Sequence, residues 1–228
     1  MRDVPKVLVA VPAFNEQRFL ASLLFDILSF VTSDDIVVID DGSTDDTAKT
    51  AQSAGVHCIR HSKNQGKGAA LQTAIDYANA QQYNWIIFMD GDGQHNPRDL
   101  EHFYRAIAEN THDVIIGNRQ ARGSAMPLHR QLSNGTTSVI ISLCAHGQRI
   151  HDSQCGYRAI RLLSLQHVTC SERGFQFESE ILLRLAKVGV RIKEIPIQTT
   201  YAQEASSIQP VRDTLRFITL ILKSFTWT

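Results

Sequence analysis

The sequence predicts an α/β fold in which a mostly parallel central sheet is flanked by helices on both faces. Short apolar runs alternate with amphipathic helical patterns through the first 117 residues, and this alternation is typical of a βαβ series. Several of the runs end in carboxylates, amides and glycines, as strands do where ligand-binding loops follow them. Of 228 residues, 43% are hydrophobic, which is enough for a sizeable core. We therefore expect one domain spanning 1–228.

The first half, 1–117, is predicted to contain five strands joined by helices. β-rich apolar runs place these strands at 6–11, 36–39, 56–60, 85–89 and 114–117. Ser43 is the predicted N-cap of a helix that closes before Gly55. An alanine-rich helix ends at about Ala80, and Asn96 with Pro97 begins the helix after the fourth strand.

The second half, 118–228, is less regular. A helix of small and apolar residues ends at about 145, a short helical turn is predicted at 164–170, and a helix covers 178–188. A strand at 190–197 is interrupted at Pro196, which an edge strand tolerates. A last amphipathic helix begins at about Pro210; it either lies on a membrane surface or packs on the domain.

Composition excludes several classes of function. Lys plus Arg equal Asp plus Glu at 23 each, so the overall charge does not indicate binding to nucleic acid or to an acidic membrane. The four cysteines form no C-x-x-C pair, which favours reduced, mostly buried thiols. The longest apolar run, near 217–222, is far below the roughly 20 residues that span a bilayer. With no signal peptide pattern at the N-terminus, we expect a cytoplasmic protein with at most peripheral membrane contact.

The most informative stretch is the fourth predicted strand and the polar residues after it. Asp90, Asp92 and Gln94 follow the apolar run at alternate positions, and their hard oxygen atoms form a partial shell for Mg²⁺ or Mn²⁺. An EF-hand is disfavoured because His95 stands where its loop requires glycine. A haloacid-dehalogenase-type phosphatase also begins D-x-D-G, but Thr or Ser normally follows on the first strand, whereas Gln94 follows here on the fourth.

Similar polar clusters follow other strands. Asn15-Glu16 and Asp40-Asp41 end the first two strands, and a parallel sheet brings such ends to one edge; ordinary turn chemistry is the alternative for any single cluster. Gly66-Lys67-Gly68 begins a helix and is either a phosphate contact or a glycine-permitted turn with a solvated lysine. A loop containing Arg119, Arg122, His129 and Arg130 suits phosphate, although loop arginines are often simply solvated.

Together these segments resemble the family 2 glycosyltransferases, particularly the branch of dolichyl- and polyprenyl-phosphate hexose synthases. The resemblance runs in order through nearly the whole chain, with Gly91 where the family commonly has alanine. The matching segments are 11–16 (VPAFNE), 40–45 (DDGSTD), 64–70 (NQGKGAA), 90–97 (DGDGQHNP), 117–119 (GNR), 152–158 (DSQCGYR), 175–178 (FQFE) and 206–208 (SSI).

This resemblance implies a GT-A fold, the nucleotide-diphospho-sugar transferase fold, and inverting transfer of a sugar from a nucleotide diphosphate donor. It assigns the divalent ion on the donor diphosphate to Asp90, Asp92 and Gln94, and Lys67 falls on the donor side. The ion stabilises the leaving nucleotide, so Asp92 counts among the catalytic residues. The residues implied to hold the base and ribose are Pro12, Ala13, Glu16 and Asp41.

The acceptor side follows from the same resemblance. Arg119 and Arg130 are implied to bind the phosphate of a polyprenyl phosphate, which is already anionic and attacks without a strong base. A hydroxyl acceptor needs a base, for which Asp152 is the candidate; capping of a turn before Gly156 is its alternative role. A noncatalytic nucleotide-sugar-binding subunit stays a third hypothesis. The donor base, UDP or GDP, and a homo-oligomer or membrane partner subunit stay open.

Overall fold

The computed structural model describes residues 4–120, 128–166, 168–174, 176–199, 217, 219–224 and 227, and for 128–133 the backbone only. The described strands are β1 (Val7–Ala13), β2 (Ile36–Asp40), β3 (His57–Arg60), β4 (Trp85–Phe88), β5 (Val114–Asn118), β6 (Arg158–Arg161) and β7 (Ile192–Pro196). The described α-helices of seven or more residues are α1 (Gln17–Ile27), α2 (Thr47–Ser53), α3 (Lys67–Ala80), α4 (Leu100–Glu109), α5 (Leu128–Cys144) and α6 (Gln176–Lys187).

The seven strands form one mixed, mostly parallel sheet, as the sequence predicts. The spatial order is β3-β2-β1-β4-β6-β5-β7, and β6 is antiparallel to both of its neighbours. β1 lies between β2 and β4, and all seven of its residues are buried. The predicted edge position of the strand that ends at Pro196 is confirmed, because β7 pairs only with β5 among the described strands.

The sequence does not reveal β6. Its four residues begin with Arg158, a residue type rarely found inside a protein, yet this side chain is only 2% exposed. The Arg158 guanidinium donates to the Cys155 carbonyl from Nε at 3.0 Å and from Nη2 at 2.6 Å, and from Nη1 to the Glu178 carbonyl at 3.0 Å. Because these bonds satisfy N–H groups of the buried guanidinium, the charged Arg158 is tolerated in a strand that lies inside the sheet.

Three local predictions have clear outcomes. The N-cap prediction for Asn96 is confirmed: its side chain accepts a bond from Arg98 N at 3.0 Å, with Pro97 next in the chain. The N-cap prediction for Ser43 is wrong, because α2 begins only at Thr47 and Ser43 Oγ accepts from Asn15 N at 2.9 Å instead. The short helical turn predicted at 164–170 is mostly wrong in position: a 3-10 helix covers Leu162–Leu165, and residues 168–170 have no regular secondary structure.

The last helix packs on the domain over the part that the structure describes. Residues 219–224 are helical, with Leu220 1% exposed and Leu222 64% exposed. After them, the Trp227 ring lies 3.8 Å from the guanidinium carbon of Arg184 on α6, and Lys187 Nζ donates to the Ser224 carbonyl. Within the described residues, no helix has the length and apolar character needed to cross a membrane.

Candidate functional site

The carboxyl ends of β1, β2 and β4 meet at one edge of the sheet, as predicted. Parallel pairing aligns Ala13 with Asp40 and Ala10 with Phe88, so the loops that follow the three strands are neighbours. Pro12 and Ala13 join these loops through their backbone: Pro12 O accepts from Gly91 N at 3.3 Å, and Ala13 O accepts from Asp41 N at 2.9 Å. Side chains of the three polar clusters therefore share one rim.

The first two loops are tied together by side-chain bonds. Asn15 has a left-handed backbone with φ of 59°, a conformation that asparagine tolerates well, and its Oδ1 accepts from Thr44 N at 2.9 Å. The backbone N–H of Glu16 donates to Thr47 Oγ1 at 2.8 Å. These bonds fix the backbone at Glu16, one of the residues predicted to hold the nucleoside.

Asp41 shapes the glycine loop before α3. Its Oδ1 lies 2.7 Å from His61 Nδ1 and accepts from Gln65 N at 2.9 Å, and its Oδ2 accepts from Gly66 N at 2.8 Å. His61 is held in turn by Thr73, whose Oγ1 lies 2.9 Å from Nε2. The carboxylate thereby positions the loop that begins α3, whereas direct contact between Asp41 and a nucleoside stays a prediction.

Lys67, the first residue of α3, joins two carboxylates from different elements. Its Nζ lies 2.7 Å from Asp90 Oδ1 and 3.1 Å from Glu178 Oε2 on α6. Burial alone lowers the pKa of an ammonium, but the attraction of Asp90 and then Glu178 outweighs it and raises the pKa of Lys67 above its ordinary value. Of the two alternatives for Gly66-Lys67-Gly68, the solvated lysine is wrong, because the Lys67 side chain is only 18% exposed.

Asp90 and Asp92 have opposite electrostatic surroundings. Burial raises the pKa of Asp90, but the charge of Lys67 and the contact with His95 hold it well below its usual range. Burial, and next the charge of Asp90, raises the pKa of Asp92. Asp92 Oδ1 accepts from Gln94 N at 2.9 Å, which tightens the turn between the two residues. A cation bound here relieves the repulsion between the two carboxylates.

The predicted set of metal ligands suits a hard divalent cation that keeps other ligands. The described residues hold no cluster of three or more His, Cys, Asp or Glu side chains able to bind a metal. The predicted ligands are the carboxylates of Asp90 and Asp92 and the side-chain amide of Gln94, of which the structure describes the two carboxylates. Mg²⁺ is commonly bound by one or two carboxylates plus water and substrate phosphates, so this set suits an ion that arrives with a diphosphate.

His95 and Tyr157 are buried next to the Asp90 carboxylate. Residue-by-residue reasoning on the sequence did not identify them as part of the site. His95 Nε2 lies 3.8 Å from Asp90 Oδ2, and the two aromatic rings are 5.1 Å apart. Burial raises the pKa of Tyr157 well above its ordinary value. Both residues lie within the segments 90–97 and 152–158 that resemble the family, and this was the only indication in the sequence that they belong to the site. The contact with His95 restricts the space in which the Asp90 carboxylate can turn, and the Tyr157 ring packs against His95.

Gly156 leaves the space that two of these carboxylates occupy. A Cβ atom added to it would lie 2.6 Å from Asp90 Oδ2 and 3.2 Å from Glu178 Oε1. No side chain larger than hydrogen fits there unless both carboxylates move. Gly156 belongs to the loop before β6, so the second half of the chain leaves room for Asp90, a predicted metal ligand from the first half.

Asp152 is fully buried and is occupied by donors. Its carboxylate accepts from Arg119 N at 2.9 Å, Nε at 2.9 Å and Nη2 at 2.7 Å, and from Asn134 Nδ2 at 2.8 Å. A general base needs a free lone pair that faces the acceptor, so this geometry favours a role in positioning Arg119. The side chain of Arg130 and all of Arg122 lie outside the described residues.

Comparison with known proteins agrees with this arrangement. A sequence profile of the family described as glycosyl transferase family 2 matches residues 8–171. An undecaprenyl-phosphate mannosyltransferase of Micrococcus luteus is 29% identical over 84% of this chain and 82% of its own. A polyprenol monophosphomannose synthase of Mycolicibacterium smegmatis is 28% identical over 88% of this chain and 79% of its own.

Solved structures confirm the GT-A fold. Glucosyl-3-phosphoglycerate synthase from Mycobacterium tuberculosis, in complex with Mn²⁺, uridine diphosphate and phosphoglyceric acid, aligns with a TM-score of 0.75. It is 18% identical, and the alignment covers 96% of this chain and 78% of the other. At this identity the likeness establishes the architecture, not the substrate.

Proposed function

The chain belongs to glycosyl transferase family 2, and from that premise we propose that it transfers a hexose, with inversion, from a UDP- or GDP-sugar to a polyprenyl phosphate with Mg²⁺ or Mn²⁺. The proposed binding of the nucleotide-sugar donor is supported by one observation: Asp90, Asp92 and Gln94 follow β4 at the sheet edge, beside Lys67 at the start of α3. The acceptor half is supported by relatives named for transfer to undecaprenyl phosphate or polyprenol monophosphate.

The residues divide between the two ends of the donor. Pro12, Ala13, Glu16 and Asp41 lie on the β1 and β2 side of the rim, where the nucleoside is proposed to bind. Asp90, Asp92 and Gln94 would hold the divalent ion, which when bound supplies positive charge to the departing diphosphate. The Lys67 ammonium adds a second, permanent positive charge at the same end.

The acceptor reaction calls for positioning more than proton transfer. A polyprenyl phosphate carries negative oxygens near neutral pH, so it attacks the anomeric carbon without losing a proton first. Arg119, oriented by the buried Asp152, and Arg130 are the proposed phosphate contacts. A hydroxyl acceptor needs a base, and Asp152 has its oxygens occupied by four donors.

The proposed location follows from the lipid nature of the acceptor. We propose that residues 1–228 act as one glycosyltransferase domain on the cytoplasmic side of a membrane, in peripheral contact with the lipid that carries the acceptor. Lipid binding by the purified chain, measured by flotation with anionic vesicles, tests this contact directly.

A donor panel decides the proposal. UDP-glucose, UDP-N-acetylglucosamine and GDP-mannose are each incubated with undecaprenyl or dolichyl phosphate and Mg²⁺ or Mn²⁺, and lipid-linked sugar is measured with and without EDTA. We expect metal-dependent transfer from one donor, abolished in Asp92→Asn. Asp76→Asn is the matched control, because Asp76 accepts only a surface bond from Gln72 at 2.9 Å among the bonds described for it.

The outcomes separate the alternatives. Transfer to a soluble hydroxyl compound but not to lipid phosphate would overturn the acceptor assignment. Metal-dependent nucleotide-sugar binding without transfer or donor hydrolysis would instead indicate a noncatalytic subunit. The anomeric configuration of the product, determined by NMR, checks inversion.

A further inference from the structure

The Lys67 ammonium lies between two carboxylates that come from different halves of the chain. Asp90 follows β4, Glu178 lies in the first turn of α6, and both are within salt-bridge distance of Nζ, at 2.7 Å and 3.1 Å. The three side chains are 18%, 24% and 15% exposed for Lys67, Asp90 and Glu178 respectively. The interaction is therefore partly shielded from water, where charge pairing is stronger than on an open surface.

The closer of the two contacts competes with the proposed metal site. Asp90 Oδ1, the nearest oxygen to Lys67 Nζ, belongs to a carboxylate that would also coordinate the divalent cation. An ammonium and a divalent cation repel each other strongly at contact distance. Cation binding at Asp90 therefore weakens the Lys67–Asp90 pair and leaves Glu178 as the carboxylate that retains the lysine.

Glu178 is itself held firmly. Arg158 Nη1 donates to the Glu178 carbonyl at 3.0 Å, and Arg158 Nη2 lies 3.7 Å from Glu178 Oε1. Arg158 is 2% exposed and anchored to the Cys155 carbonyl. Oε2 consequently stays directed at Lys67.

We propose that Glu178 is a positioning residue for the donor site, which keeps the Lys67 ammonium beside the diphosphate when Asp90 coordinates the cation. This inference rests on the proposed function, since it assumes a divalent cation at Asp90 and Asp92. It assigns a donor-side role to a residue of α6, in the half of the chain that the sequence predicts to bind the acceptor.

The test is a double-mutant cycle on metal affinity. Mn²⁺ binding is measured from the free-ion EPR signal, with and without UDP or GDP, for wild type, Glu178→Gln, Lys67→Met and the double variant. Glu109→Gln is the matched control, because Glu109 forms a lysine pair of the same kind with Lys193 at 2.5 Å, between α4 and β7. Thermal melts confirm that each variant is folded.

The expected pattern is non-additive. Glu178→Gln leaves Asp90 as the only carboxylate described for Lys67, so competition increases and Mn²⁺ affinity falls by about tenfold, the scale of losses at residues that orient metal ligands. Lys67→Met removes the competing cation and strengthens Mn²⁺ binding without nucleotide. In that background Glu178→Gln changes the affinity by less than about twofold, because Glu178 acts through Lys67.

Each other result is decisive. If Glu178→Gln lowers Mn²⁺ affinity equally in the wild-type and Lys67→Met backgrounds, Glu178 acts on the cation directly, and the inference is overturned while the proposed function stands. If Glu178→Gln lowers Mn²⁺ affinity in neither background, the inference is likewise overturned. Absence of Mn²⁺ binding by wild type with both nucleotides would overturn the proposed metal chemistry as well. Should Glu178→Gln fail to fold, weaker or unchanged Mn²⁺ binding by Lys67→Met overturns the inference.

Discussion

The substitution Gly156→Ala probes the geometry of the donor end without removing any charge. The added methyl group would lie 2.6 Å from Asp90 Oδ2, and an ordinary contact begins at 3.4 Å, so this oxygen must move by about 0.8 Å. The Lys67 bond at 2.7 Å holds the other oxygen of the same carboxylate. Misplacement of a catalytic group by about 1 Å costs about 100-fold in rate, equivalent to about 2.7 kcal/mol of transition-state stabilisation.

We expect Gly156→Ala to lower kcat/KM for sugar transfer by about 100-fold and to weaken Mn²⁺ binding. Its unfolding free energy falls by about 1–3 kcal/mol, the usual cost of overpacking, so the protein stays folded. The assays are initial rates of lipid-linked sugar formation, Mn²⁺ titration and urea unfolding.

Gly135→Ala in α5 is the matched control. A Cβ atom at this position has no neighbour within 4 Å, and alanine stabilises a helix interior by about 0.5–1 kcal/mol relative to glycine. Activity equal to wild type in both alanine variants would refute the crowding at Gly156.

Three further outcomes follow from the structure. Asp152→Asn removes the charge that Arg119 pairs with, and we expect urea unfolding to show a loss of about 3–5 kcal/mol; lost activity with unchanged stability would indicate a general base instead. Burial raises the pKa of Cys155 and Cys170 to about 12, so at pH 8 both are protonated thiols that iodoacetamide alkylates slowly, as peptide mass spectrometry will measure. Trp227→Leu removes a cation–π contact of about 1 kcal/mol, and faster amide exchange over 219–224 is the expected readout.

Of the first five strands, β1, β2, β4 and β5 were predictable because each is a short apolar run followed by turn residues, whereas β3, His57–Arg60, is a weaker and partly exposed strand. Parallel direction alone places the carboxyl ends of β1, β2 and β4 at one edge of the sheet, and the observed pairing brings the loops with Asn15, Asp41 and Asp90 next to one another there. The sequence therefore predicts well the strands and the sheet edge at which they end, because these depend on the local hydrophobic pattern and on chain direction.

The contacts that depend on distant residues were not predictable. Burial of Arg158 requires the Cys155 and Glu178 carbonyls, so a strand that begins with arginine has no local signature. Ser43 has the side chain of an N-cap, but the Asn15 backbone N–H uses it instead. The pairing of Lys67 with Glu178 spans the fold from α3 to α6, and no spacing within the chain indicates it.

These long-range contacts change how the site divides along the sequence. The prediction assigns 1–117 to the nucleotide sugar and 118–228 to the acceptor, yet β6 from the second half lies between β4 and β5. Gly156, in the loop before β6, leaves the space that the Asp90 carboxylate occupies, and Glu178 on α6 pairs with Lys67. A shift of α6 on acceptor binding would change the contact between Glu178 and Lys67, and with it the contact between Lys67 and Asp90. Donor affinity measured with and without polyprenyl phosphate should differ in wild type and differ less in Glu178→Gln, because coupling between two sites requires a contact that both of them shift.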